Sequence, residues 1–240
     1  MQEELNKGIS KRTIMASIII LLLIPTTIYI GIRYMGNRKY YFISLLIIIY
    51  TIIPFFISFE NRKPKPREII VIAVLSAIAV VGRAAFYMIP QFKPVCAIVI
   101  IAGIAFGGEA GFLTGSLAGF VSNFIFRQGP WTPWQMFSFG IIGFIAGLLF
   151  NNKKIKDNKM LVIIYGGLST FIIYGLIMNL YSALTMMPDF SMKAYIASII
   201  SGIPFDLIHA AATVIFLFIL YKPMMTKLDR IKIKYGFMRK

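Results

Sequence analysis

The chain has 240 residues, 58% of them hydrophobic and only 14% charged, a balance that excludes an ordinary water-soluble domain and marks an integral membrane protein. Its formal net charge of +16 does not mark a nucleic-acid binder, because the basic residues fall in short connectors and in the tail "KPMMTKLDRIKIKYGFMRK" rather than on one amphipathic face. The one cysteine, Cys96, excludes an intramolecular disulfide and a cysteine metal cluster, and its plain role is that of a small core hydrophobe.

In chain order, the apolar segments are 14–32, 41–59, 69–87, 94–106, 110–126, 134–150, 160–184 and 194–220. Runs such as "ASIIILLLIPTTIYI" and "AATVIFLFIL" are apolar around the whole helix, so their surroundings are lipid or protein, not water. Lys7, Lys11 and Arg12 before the first run give it the look of a signal peptide, but no small-residue cleavage site follows and a retained helix is expected. The fourth segment has 13 residues against the ~20 of a spanning helix, so a re-entrant element is the alternative to a crossing.

Charge counting addresses that ambiguity. With eight crossings and a cytoplasmic amino terminus, the inner segments hold 18 Lys and Arg and the outer connectors 6; without the fourth crossing the split becomes 9 inside and 15 outside. The positive-inside rule favours eight crossings, both termini cytoplasmic. The excess of basic residues also favours contact with anionic lipid at the inner face. The predicted fold is an all-α membrane protein: a two-helix leader (1–60), a polar proline-containing linker (61–66, within "ENRKPKPRE"), a six-helix unit (67–225) and a basic cytoplasmic tail (226–240).

Three connectors, "MIPQFKP" (88–94), "RQGPWTPWQM" (127–136) and "MMPDFSMK" (186–193), are then predicted on the outside. The second holds both tryptophans, Trp131 and Trp134, with Gln128 and Gln135. Interfacial aromatic belts explain a tryptophan alone, whereas rigid aromatic planes beside amides and prolines suit a small organic ligand. Arg83, Asn123 and Asn179 lie near the outer ends of their helices, where a charge or amide is costly unless it is paired or lines a wet cavity. Snorkelling of Arg83 to headgroups and interhelical hydrogen bonding by the asparagines are the competing explanations. Asp206 and His209 lie deeper, three residues apart on a small, polar stripe of the last helix that Pro204 is expected to kink, and are placed to pair with each other or to meet a ligand. Without a second histidine or a cysteine cluster, no metal site and no cofactor is expected.

Gly111, Gly115, Gly119 and Asn123 recur every four residues, and Gly143 and Gly147 likewise, which is a pattern for close helix packing. Ala73 and Ala77, in "AVLSA", make a similar small pair. No "GxxxxGK[ST]" phosphate loop, "HExxH" or "GxSxG" elbow occurs, so the chain has the makings of a binder whose energy comes from elsewhere.

The alanine pair, "FGGEAGFLTGSLAGFVSNF", "GPWTPWQMFSFGIIGFIAGLL" and "SGIPFDLIHA" give residues 67–225 a pattern that resembles the substrate-binding subunit (S component) of energy-coupling factor (ECF) vitamin importers of the bacterial plasma membrane. The resemblance implies that Ala73 and Ala77 dock on a membrane-embedded coupling subunit, itself coupled to two cytoplasmic ATPases. It implies that the outer connectors close over a vitamin and that the loaded subunit topples in the bilayer to deliver it. The tryptophan loop is most similar to members assigned to corrinoid-type or other large vitamins. On this view Arg83 meets a carboxylate or phosphate, Trp131 and Trp134 stack on a ring, and Gln128, Gln135, Asn123 and Asn179 read polar edges. The first sixty residues depart from the six-helix pattern. Two other classes remain open: a membrane scaffold such as a cell-shape protein, and a lipid-modifying enzyme using Asp206 and His209, which lacks the further acids or metal such chemistry needs.

Overall fold

The computed structural model describes residues 66–186 and 191–235, with scattered positions between 18 and 53. Most of the two leader segments and residues 187–190 of the third connector lie outside the described residues. The remaining six apolar segments all form helices, and no strand occurs among the described residues.

Helix α1 spans Pro66–Ala85, α2 Val95–Phe106, α3 Gly108–Phe126 and α4 Thr132–Leu149. After a single turn, α5 at Lys153–Asp157, one rod combines α6 (Lys159–Ser169), a π-helical segment (Thr170–Tyr174) and α7 (Gly175–Met186). The last helix, α8, covers Met192–Tyr235. Four stretches are long and apolar enough to cross a membrane: Pro66–Ala85, Thr132–Leu149, Lys159–Thr185 and Met192–Lys234.

The short fourth segment is α2, and every one of its twelve residues is buried. A helix walled by protein need not match the thickness of the lipid core. Gly107, with φ of 95°, reverses the chain between α2 and α3 in one residue, and its N–H closes α2 by donating to the Gly103 carbonyl at 2.8 Å. The two helices therefore start level at this end. At ~1.5 Å per residue α2 is roughly 18 Å long and α3 roughly 28 Å, so at the opposite end α2 stops about two turns short. The connector 86–94 folds into the space that this leaves.

The glycine pattern works as close packing. A Cβ on Gly103 of α2 would come within 2.1 Å of the Gly143 carbonyl oxygen of α4, and one on Gly111 of α3 within 2.4 Å of that same atom. Any side chain there would push three helices apart. Around this seam lie two apolar clusters. The larger surrounds α2; the smaller joins Phe112, Trp134, Phe137, Ile141, Phe144 and Leu184, with Tyr50 of the leader packed against it.

The final helix runs fifteen residues past its predicted end at 220 and continues through Pro204 and Pro223. Met225 and Leu228 are buried, so the beginning of the basic tail is packed helix. Lys156 of α5 pairs with Asp229 at 3.1 Å, and Tyr221 donates to the Lys156 carbonyl at 2.6 Å. On α1, Ala73 and Ala77 are exposed beside Val74, Ile78 and Val81.

Candidate functional site

Above the truncated end of α2 lies a cavity of about 330 Å³. Its wall takes Arg83 from the last turn of α1, Phe126 from the end of α3, Gln135 and Phe139 from α4, Tyr174 from the π segment and His209 from α8. Connector residues Tyr87, Pro90, Gln91 and Lys93 close it, and Val95 of α2 completes the lining. Gln135 and Phe139 are four apart and so share one face of α4. Tyr174 reaches the cavity from the last position of the π turn, where an additional residue per turn changes which side chains face inward.

Arg83 is 8% exposed. A buried guanidinium is costly unless its donors are satisfied, and here Nη1 donates to Ser122 Oγ and, at 3.0 Å, to Asn123 Oδ1, while Nη2 donates to Gln135 Oε1 at 3.3 Å. Phe126 supplies a ring face 4.5 Å from its Cζ. Asn123 is fixed in turn, donating to Thr132 Oγ1 at 2.9 Å and to Gln135 Oε1 at 3.0 Å. All these partners are neutral. They lower the cost of burying the charge without cancelling it, and among the described residues two of the five guanidinium donors have no partner.

Lys93 is also buried, and its ammonium donates to the carbonyls of Phe86, of Tyr87 at 3.3 Å and of Ile89 at 2.6 Å. These carbonyls follow the end of α1, so Lys93 caps the exit of that helix and pins the connector. Desolvation first, and the Arg83 charge second, lower its pKa from the ordinary lysine value. Gln91 adopts φ of 55°, a left-handed conformation for a non-glycine residue at the mouth. Among the described residues no carboxylate lines the cavity.

At the base, Tyr174 stacks on Phe139 with centroids 5.2 Å apart and planes at 17°, and meets the His209 ring edge-on at 4.6 Å. Gln135 Nε2 donates to the Tyr174 hydroxyl at 3.4 Å. His209 Nε2 lies 3.6 Å from Cys96 Sγ.

Of the nine ligand-directed positions read from the sequence, Arg83, Gln135 and His209 line this cavity and Asn123 stands directly behind it. Asp206 and His209 do not bond to each other: Asp206 Oδ2 accepts from Asn179 Nδ2 at 2.9 Å, joining α7 to α8 away from the cavity lining. Gly175 and Gly202 leave room for that pair, since a Cβ on either would meet Asp206 or Asn179 within 2.8 Å. Gln128 organises the connector, donating to the Phe120 carbonyl at 2.9 Å and accepting from Thr132 at 2.9 Å. Trp131 lies over Gly129. Trp134 is fully buried in the smaller apolar cluster. Neither tryptophan lines the cavity.

Phe126, Phe139, Tyr174 and Lys93 were not singled out from the sequence. The aromatics are three among 35 Phe, Trp and Tyr residues in an apolar chain. Lys93, the one charge of "MIPQFKP", was the available signal.

A bundle of apolar helices around a cationic, aromatic-walled cavity defines a multi-pass membrane protein with a ligand-sized hollow at one end. The family described as "ECF transporter, substrate-specific component" matches residues 67–221. UPF0397 proteins are also similar: one of Vibrio atlanticus is 26% identical over 101 residues, 39% of this chain and 55% of the relative. One of Aliivibrio fischeri is 31% identical over 87 residues, 34% and 47% respectively. The chain spans about half the length of the curated relatives it matches. No solved structure matches it significantly. The chain belongs to the ECF transporter substrate-specific component family, and it is a multi-pass protein of the cell membrane.

Proposed function

We propose that this chain is the substrate-binding subunit of an ECF-type importer and that it captures a small anionic compound with a planar ring in the cavity beside Arg83. The observation that carries the reading is the charge of the lining among the described residues: two buried cations, four aromatic rings and no acid. A site that already neutralised its arginine would have no use for an anion; this one solvates it with amides and a hydroxyl and leaves the charge in place. The cavity is at the small end of the ~300–1,000 Å³ typical of ligand sites. That favours a one- or two-ring nutrient over the corrinoid suggested by the tryptophan loop, which is several times larger.

On this reading the cavity end of the bundle is extracellular, and the partners are a coupling subunit and two ATPases, because the chain itself has no phosphate loop. The exposed apolar face of α1 around Ala73 and Ala77 is the docking surface for the coupling subunit: two small residues on a membrane helix let a partner helix approach closely.

The test is mass spectrometry of small molecules released from purified protein, beside the same preparation of Arg83→Gln. Wild type is expected to release a small anionic ring compound, and Arg83→Gln to bind that compound about tenfold to a hundredfold more weakly, the loss of a charge-assisted bond worth ~1.5–3 kcal/mol. Arg83→Lys should fall between, since it keeps the charge but loses the planar fork. A neutral or cationic ligand, or equal affinity in Arg83→Gln, sinks the reading.

A further inference from the structure

His209 is 2% exposed and lines the cavity, and its Nδ1 is one of only two buried side-chain polar atoms without a hydrogen-bond partner among the described residues. A buried polar atom left unsatisfied costs ~1–3 kcal/mol, so such an atom calls for an explanation. The surrounding groups offer none. Tyr174 and Phe139 present rings to the imidazole, with the tyrosine hydroxyl engaged by Gln135. Cys96 faces the other nitrogen. Thr213, one turn on, donates to the His209 carbonyl, and Thr170 donates to Thr213.

Resting on the reading of the cavity as an anion site, we infer that His209 Nδ1 bonds a ring heteroatom of the substrate, so that the substrate is a heteroaromatic anion held by Arg83 at its acidic group and by His209 at its ring. Phe139 and Tyr174, stacked on each other, lie in the lining between Arg83 and His209: Arg83 Cζ is 5.7 Å from the Phe139 centroid, and His209 meets both rings edge-on. A neutral imidazole has one nitrogen that donates and one that accepts. If Nε2–H donates to the Cys96 sulfur, Nδ1 accepts and selects a ring N–H; if the thiol donates to Nε2, Nδ1 carries the proton and selects a bare ring nitrogen.

Because His209 is the only histidine in the chain, one label isolates it. Purified full-length protein carrying ¹⁵N-histidine is titrated with benzoate, with the three pyridine carboxylates, whose ring nitrogen accepts, and with the two pyrrole carboxylates, whose ring N–H donates. Affinity is read by calorimetry. At least one heteroaromatic acid is expected to bind about tenfold or more tightly than benzoate and to shift the Nδ1 resonance. In His209→Leu the preference should vanish, so that this acid and benzoate bind the variant equally well. His209→Asn, which keeps a polar atom near the Nδ1 position, should recover part of the difference. Equal affinities for all the acids in wild type, a preference that survives His209→Leu, or an unmoved Nδ1 resonance overturns the inference and leaves the anion site standing. If no acid binds wild type, or Arg83→Gln binds them all as well as wild type does, the anion site has failed and this inference falls with it.

Discussion

Trp134 lies next to Gln135, the α4 residue that Arg83 meets, yet the two side chains have different surroundings, and the difference decides what each does. Trp134 is fully buried against Tyr181, with ring centroids 6.0 Å apart, and within the cluster of Phe112, Phe137 and Phe144. Removing so large a ring leaves a void that the packed helices cannot collapse into. Trp134→Ala is expected to cost ~3–5 kcal/mol and to lower the melting temperature by several degrees. Ligand affinity should stay within about threefold, because the ring stands behind the cavity; unchanged melting together with lost binding would contradict this placement. Arg83 was legible in the sequence because a cation inside an apolar run has few tolerable surroundings. Asn123 was legible for the same reason, whereas Tyr174 was not, since a tyrosine among Phe, Ile and Thr has no cost that demands a partner.

Two elements shape the cavity, one by being short and the other by being wound differently. The shortness of α2 could be read directly from "VCAIVIIAGIAF", but not its consequence, which depends on α3 being longer and on Gly107 setting the two level. The π segment had no visible signal, because its extra residue lies within the apolar "TFIIY". Deleting Ile172, which is 47% exposed on the outside of the bundle, should return the rod to α-helical register and turn Tyr174 out of the cavity wall. The expected outcome is lost ligand binding with helicity by circular dichroism retained; full binding would show that the bulge does not set the site. The glycine seam has its own test. On Gly143 a Cβ would lie 2.6 Å from both the Gly111 carbonyl oxygen and a Val99 methyl, so Gly143→Ala must separate helices and is expected to destabilise by ~1–3 kcal/mol, seen as a lower melting temperature. An unchanged melting point would mean that the seam can open at no cost.

For the whole molecule, the proposed orientation places the cavity and the 127–131 connector outside the cell, and the basic turn at α5 inside, as the count of Lys and Arg favours. Cys96 is buried, so Cys96→Ala provides a background in which single cysteines report sidedness. A membrane-impermeant maleimide is expected to label Gln128→Cys on intact cells, and Lys153→Cys only after permeabilisation. The reverse pattern would put the cavity on the cytoplasmic side and end the uptake reading.

The amino-acid sequence alone determined that this is a helical membrane protein, roughly where its helices run, and which polar residues needed an explanation, because hydropathy, charge and the cost of burying polar groups are local properties of the chain. Only the tertiary structure decided how those polar residues were shared out. It placed Arg83, Gln135 and His209 around one hollow, joined Asp206 to Asn179 instead of to His209, and took Trp134 into the packing. Those assignments depend on distances between residues up to 126 positions apart, Arg83 to His209, and such distances are set by helix length and close packing, which no single segment contains.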